Sequence, residues 1–241
     1  MTTILIALLT AFVAAMIATR IVAAIALRLA IVDKPDGFRK LHRAPTPQLG
    51  GVAIFVAIVT TMGLLLLFRQ RSQVVMRLVV LEPKLLGLFM GATMALVMGV
   101  ADDVFDLKPR WKIVWQILIA TTAYAFGLAI NAISVPFGGY LSFGLLAYPA
   151  TVLWFVGCMN AVNLLDGLDG LAAGACLFVT LTLLLVSLYF ENFTAAVIMG
   201  IVSGGIPGFL MFNFPPAKIF LGDSGSMLLG FMIAALSLVG A

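Results

Sequence analysis

The sequence predicts an all-α, polytopic membrane bundle, and three observations carry that prediction. Hydrophobic residues make up 63% of the 241-residue chain and charged residues only 10%. Soluble domains average about 25% charged residues, so a water-exposed globule is excluded. The mean hydropathy is +1.19. Apolar stretches of roughly 16 to 25 residues recur from end to end, the length a helix needs to cross a bilayer core.

Those stretches predict helices over 3–27, 49–68, 85–101, 113–130, 143–159, 171–190, 194–212 and 226–241, about eight spans in one membrane domain covering 1–241. The first reads as a span rather than a cleavable signal, because no positive charge precedes it and Arg20 falls late within it. The last reaches the final residue without a polar flank. It reads as an incomplete span, and the chain as a fragment. Cys158 and Cys176 lie in or beside apolar runs and read as small hydrophobes.

Alternating sides then sort the connecting loops. One side holds Arg28, Lys34, Arg39, Lys40, Arg43, Lys108, Arg110, Lys112 and Lys218; the other holds Arg69, Arg71, Arg77 and Lys84. By the positive-inside rule the first side is cytoplasmic and the N-terminus lies outside. The net charge of +4 is accounted for by this topology and implies no nucleic-acid partner. The acids are more lopsided still. Asp33, Asp36, Asp102, Asp103, Asp106, Asp166, Asp169 and Asp223 all fall on the cytoplasmic side, against Glu82 and Glu191 outside. Carboxylates beside a bilayer lose solvation unless paired, hydrated or bound to metal, so their concentration on one face suggests a site.

Four loops carry the chemistry. In GVADDVFDLKPRWKIVWQ, Asp102 and Asp106 share a helix face, and mutual repulsion beside Lys112 or a cation suits a proton acceptor. An Asp-Asp pair alone is equally a solvated helix end. NAVNLLDGLDGLAAG offers Asn160, Asn163, Asp166 and Asp169, hard oxygen donors of the kind Mg²⁺ takes alongside water and phosphate. Its Asp-Gly pairs permit tight turns and close ligand approach. FNFPPAKIFLGDSGS carries Asn213, Lys218 and Asp223, the last at a helix start, where it would cap the helix or hold a cation. VDKPDGFRKLHRAPTPQLGG supplies basic side chains, Lys34 among them, for a diphosphate or lipid headgroups. His42 is the sole histidine, so the sequence holds no histidine metal cluster.

Together these four stretches closely resemble the polyprenyl-phosphate N-acetylhexosamine-1-phosphate transferase family. The matches are DKPDGFRKLHRAPTPQLGG, the Asp-Asp pair with Lys112 nine residues on, NAVNLLDGLDGLAAG and NFPPAKIFLGDSGS, in the family's order. The resemblance implies attack by a lipid phosphate oxygen on the β-phosphorus of a UDP-sugar, with release of UMP. It implies Mg²⁺, with Mn²⁺ as a substitute, held by Asp223 and Asn163. Asp102 would deprotonate the lipid phosphate with support from Asp103, and Lys112, joined by Lys34, would hold it. Asp166, Asp169 and Asn213 would shape the nucleotide-sugar pocket. A covalent route through an aspartate is the alternative mechanism.

The first loop looks like the branch that moves N-acetylglucosamine-1-phosphate from UDP-GlcNAc to undecaprenyl phosphate. The branch that moves phospho-N-acetylmuramoyl-pentapeptide is the runner-up. The implied setting is a bacterial inner membrane with the site facing the cytoplasm, and homodimers occur in the family. Family members run on through further spans and a histidine-rich loop, so the chain as given is expected to show little activity. Two readings of other classes stand beside this one. A transporter would place ionisable groups near the bilayer midplane at broken helices, for which Gly204, Gly205, Pro207 and Gly208 are candidates. A truncated, non-catalytic partner is the other.

Overall fold

The computed structural model describes residues 1–33, 45–67, 82–135 and 138–239. Lys34 and the rest of the basic first loop through residue 44 lie outside the described residues.

The described residues form eight α-helices and two short antiparallel hairpins. The helices are α1 (Thr2–Arg28), α2 (Gly50–Leu67), α3 (Glu82–Phe105), α4 (Pro109–Ala125), α5 (Ala147–Leu165), α6 (Leu171–Tyr189), α7 (Phe193–Asn213) and α8 (Gly222–Val239). β1 (Val32–Asp33) pairs with β2 (Thr46–Pro47), and β3 (Ala132–Ser134) pairs with β4 (Tyr140–Ser142). A 3-10 turn at Gly144–Leu146 leads into α5. Seven of the helices are long and apolar enough to cross a membrane, and the chain is a multi-pass helical membrane protein.

The eighth is α4. The predicted span over 113–130 is instead a helix of 17 residues that starts at Pro109 and stops at Ala125. Proline suits a first helical turn, where its missing N–H leaves no bond unmade. Gly127, at φ +86°, ends the helix in a left-handed turn: its N–H donates to the Tyr124 carbonyl and that of Leu128 to Ala123.

Helix ends also reach past the apolar windows. α3 runs on through Asp102 and Asp103, α5 through Asn160 and Asn163, and α8 starts at Gly222 rather than 226. Hydropathy marks where a helix leaves hydrocarbon, whereas backbone hydrogen bonding continues into the polar zone. Residues assigned to loops by hydropathy therefore sit on rigid helical ends.

Small residues set the packing. α7 lies along α1 with Gly200, Gly204 and Gly208 turned to Ile4, Leu8 and Phe12; a Cβ at Gly204 would meet the Leu8 carbonyl at 2.1 Å, and one at Gly208 the Phe12 carbonyl at 2.4 Å. Such spacing lets backbones approach and replaces the hydrophobic drive that lipid cannot supply. These glycines do not break α7, which continues through Pro207 to Asn213. α8 is the central post, buried over most of its length between α2, α3, α5 and α6.

Candidate active site

The start of α8 is where the sequence-predicted residues meet. Gly222 sits at φ +72°, a conformation side chains rarely adopt, and a Cβ there would come within 2.8 Å of an Asp103 carboxylate oxygen. Asp103 closes on the helix end: its Oδ1 accepts the Asp223 N–H at 2.8 Å and its Oδ2 the Ser224 N–H at 3.0 Å. α3 thus caps α8, satisfying two of the backbone donors left open at a helix start and favoured by its dipole.

Asp102 points elsewhere, as neighbours on a helix must. It is 3% exposed, its Oδ1 accepts the Leu107 N–H at 2.9 Å, and its Oδ2 pairs with Lys112 Nζ from α4. Lys112 also faces Asp223 Oδ2 at 3.7 Å. The other Asp223 oxygen accepts from Asn163 Nδ2 on α5, which donates also to Ser226 Oγ at 2.9 Å. Four helices therefore deliver Asp102, Lys112, Asn163 and Asp223 to one cluster.

Asp166 lies just beyond α5 and faces the same helix start. Its carboxyl is pushed up to about 8, first by burial and then by the nearby charges of Asp223, Asp103 and Asp169, while a hydrogen bond from the Gly222 N–H works the other way. Asp169 and Asn213 hold loops. Asp169 Oδ2 accepts the Ala217 N–H at 3.0 Å; Asn213 accepts the Gly170 N–H at 3.1 Å and donates to the Ile219 carbonyl at 3.0 Å. Both tie the 166–170 turn to the 213–221 segment, beside the cluster rather than in it. Asp106 lies just past the end of α3 at φ +49°, so it does not share a helix face with Asp102 as the spacing predicted; it is exposed, and its charge reaches Lys112 from outside the cluster.

Three groups of residues escaped the sequence reading. Gly51 and Gly99 let α2 and α3 touch the α8 start: a Cβ at Gly51 would sit 2.3 Å from Ser224 backbone, and one at Gly99 would sit 2.4 Å from the Asp223 carbonyl. The Gly50 and Gly51 N–H groups donate to the Phe220 and Leu221 carbonyls, and Phe220 N–H to Pro47, stitching the base of the first loop to this end of α8. The adjacent glycines at the head of the second span were the available signal. The third group lies one turn deeper. Gln116, fully buried, accepts from Asn160 Nδ2 at 2.7 Å and donates to Met227 Sδ at 3.5 Å. Lys112 and Gln116, Asn163 and Asn160, and Asp223 and Met227 are each one helical turn apart, so a neutral layer underlies the charged one.

The donor set fits a hard divalent cation. Asn163 uses its NH₂ on Asp223 and Ser226, which leaves its Oδ1 as an acceptor, and Asp223 brings a carboxylate. Among the described residues no three His, Cys, Asp or Glu side chains form a ready-made cage. Two hard donors suit Mg²⁺, which keeps its waters and takes its remaining ligands from substrate phosphates.

The chain is similar along almost its whole length to proteins of known family. Over 238 residues the chain is 36% identical to a protein of Bacillus subtilis named probable undecaprenyl-phosphate N-acetylglucosaminyl 1-phosphate transferase, covering 98% of this chain and 63% of that one. It is 34% identical over 244 residues to decaprenyl-phosphate N-acetylglucosaminephosphotransferase of Mycobacterium tuberculosis, covering 97% and 59%. A phospho-N-acetylmuramoyl-pentapeptide-transferase of Pelotomaculum thermopropionicum is 37% identical over 216 residues, covering 83% and 64%. The chain thus spans less than two thirds of the length of these relatives. Residues 85–241, which hold every member of the cluster, match the family described as glycosyl transferase family 4, and the chain belongs to that family.

Proposed function

We propose that this chain forms the membrane core of an enzyme that transfers N-acetylglucosamine-1-phosphate from UDP-GlcNAc to undecaprenyl phosphate and releases UMP. The observation that carries the reading is the convergence of Asp102, Lys112, Asn163 and Asp223 from four helices at one end of the bundle.

Lys112 bridges two carboxylates at rest. An incoming lipid phosphate takes that cation, as a charge-assisted partner would. Asp102 Oδ2 is then released from its ion pair and accepts the phosphate proton. The freed oxygen attacks the β-phosphorus, the bond from that phosphorus to the oxygen bridging it to the α-phosphate breaks, and UMP leaves with the bridging oxygen. Asp223 and Asn163 would hold Mg²⁺, which neutralises diphosphate charge when bound. Positioning and charge neutralisation supply most of the rate in phosphoryl transfer, and the cluster is built for both. Asp166, Asp169 and Asn213 shape the wall that receives the nucleotide. Lys34, from the first loop, is a second contact to the lipid phosphate. The site faces the cytoplasm, where UDP-sugars are found.

The test is label transfer in membranes containing the full-length enzyme of which this chain forms the core. UDP-GlcNAc labelled in the sugar should put label into lipid and release UMP, with EDTA abolishing and Mg²⁺ restoring both. Asp223→Ala should lower the rate by about 10²–10³-fold, the range set by losing one preorganised charge partner. Turnover unchanged in that variant would reject the metal assignment. Label entering lipid only from UDP-N-acetylmuramoyl-pentapeptide would move the chain to the branch named in the Pelotomaculum relative.

A further inference from the structure

The end of the bundle away from the cluster carries an element with no role in transfer. No charged residue occurs from Ile113 to Leu165, and the β3–β4 hairpin sits inside that run, joining the far ends of α4 and α5. All six residues of its ladder are exposed. Ile133 is 46% exposed, Tyr140 82% and Leu141 54%, and the 3-10 turn adds Leu145 at 99% and Leu146 at 65%.

Two physical limits fix where such a hairpin can lie. Each strand of a two-stranded sheet has one edge with unpaired N–H and C=O groups, which hydrocarbon does not tolerate. An isolated two-stranded hairpin is also marginal in bulk water, and this one carries no charge and turns the Ile133–Leu141 pair out on one face. The headgroup–acyl boundary meets both demands, since it hydrates edges and takes apolar side chains. The length of α4 places the hairpin there. Its 17 residues cover about 25 Å against a core of about 30 Å, and Lys112 in its first turn must stay at the polar edge. The chain leaves α4 at Gly127, still near lipid. It is then pinned to α5 by the Ile130 N–H, which donates to Thr151 Oγ1 at 2.9 Å. Tyr148, bonded through its hydroxyl to Thr121 at 3.0 Å, stands at the same level, as interfacial tyrosines do.

We propose that the β3–β4 hairpin and the Gly144–Leu146 turn form an interfacial anchor that lies in the headgroup–acyl boundary of the leaflet opposite the candidate site. Its partner is the lipid surface itself. The anchor fixes the depth of α4 and α5, and so the depth at which Lys112 and Asn163 are presented.

Site-directed spin labelling in bilayers of phosphatidylethanolamine and phosphatidylglycerol tests this, on the whole chain with Cys158→Ala and Cys176→Ala. Val13→Cys, on the exposed middle of α1, reports hydrocarbon, and Asp106→Cys reports water. A label at Leu141→Cys should show a ratio of oxygen to nickel-chelate contact between these two references, at about 5–10 Å depth. Nickel contact equal to Asp106→Cys would overturn the proposal, as would an oxygen ratio equal to Val13→Cys. So would protection from both reagents with dipolar broadening, which would mean that a second copy covers the hairpin. Tyr140→Cys and Leu145→Cys repeat the measurement if the first variant misfolds. For the anchoring role, Leu141→Asp with Leu145→Asp should shift a label at Ile113→Cys to a different depth; an unchanged depth would reject that role.

Discussion

Asp102 and Asp103 are adjacent in sequence yet do different work, because their side chains leave the helix about 100° apart: Asp102 pairs with Lys112 of α4, and Asp103 caps α8. Asp103 completes the start of α8 through two backbone N–H groups, so its loss is first a matter of stability. Asp103→Ala should lower unfolding stability by about 2 kcal/mol, the scale of buried donors left unpaired. Thermal unfolding in detergent measures it; an unshifted midpoint would mean that the cap is dispensable. Asp166 differs again. Its folded carboxyl stands at about 8 against 3.8 for the free group, so between those values the folded state binds the extra proton and stability falls as pH rises. Asp166→Asn removes that loss. The variant should match the parent below pH 4 and become progressively more stable than it up to about pH 8, while losing turnover. A stability difference independent of pH would show that Asp166 is not the titrating group.

At the scale of elements, the site depends on how closely α2 and α3 approach the α8 start. Gly51 and Gly99 meet backbone rather than flexible side chains, so nothing can yield to an added methyl. Gly51→Ala and Gly99→Ala should each destabilise the protein by about 1–3 kcal/mol and displace Asp223 from Lys112. Turnover per folded molecule should drop with them, whereas Gly63→Ala, whose Cβ would meet open space, should change neither. Equal turnover in all three would sever the packing from the site. The same elements show what could be read in advance. Seven spans and all the acids that cluster were legible from hydropathy and residue type, since both follow from one-dimensional composition. Three-dimensional facts were not. Asn160 and Asn163 were read as loop residues because hydropathy ends before the helix does. The loop-bracing bonds of Asp169 and Asn213 depend on which segments meet, and α4 was drawn too far along the chain, over 113–130 instead of Pro109–Ala125, because uncharged residues follow it into the hairpin. Asn160 was named in advance, but its partner Gln116, a single amide in an uncharged run, shows its role only once the two helices meet.

The whole molecule has two unlike ends, and its orientation decides which substrate pool the cluster can reach. One end gathers Asp102, Lys112, Asn163, Asp166 and Asp223, with Lys108, Arg110 and Lys218 beside them; the other carries an uncharged hairpin. The proposed transfer requires the cluster inside the cell and the first residue of α1 outside, and the retention of basic residues near span ends on the cytoplasmic side supports that orientation. Cysteines in a background lacking Cys158 and Cys176 can decide it. Asp106→Cys, exposed at the cluster end, should resist a membrane-impermeant thiol reagent in intact cells and react once the membrane is opened. A cysteine replacing Thr2, at the head of α1, should react in intact cells. The opposite pattern would put the acids outside, away from cytosolic nucleotide sugars, and the proposed transfer would fail with it. Labelling of both positions in intact cells would instead show a mixed orientation, in which the arginines at 69, 71 and 77 offset the basic residues of the cluster end.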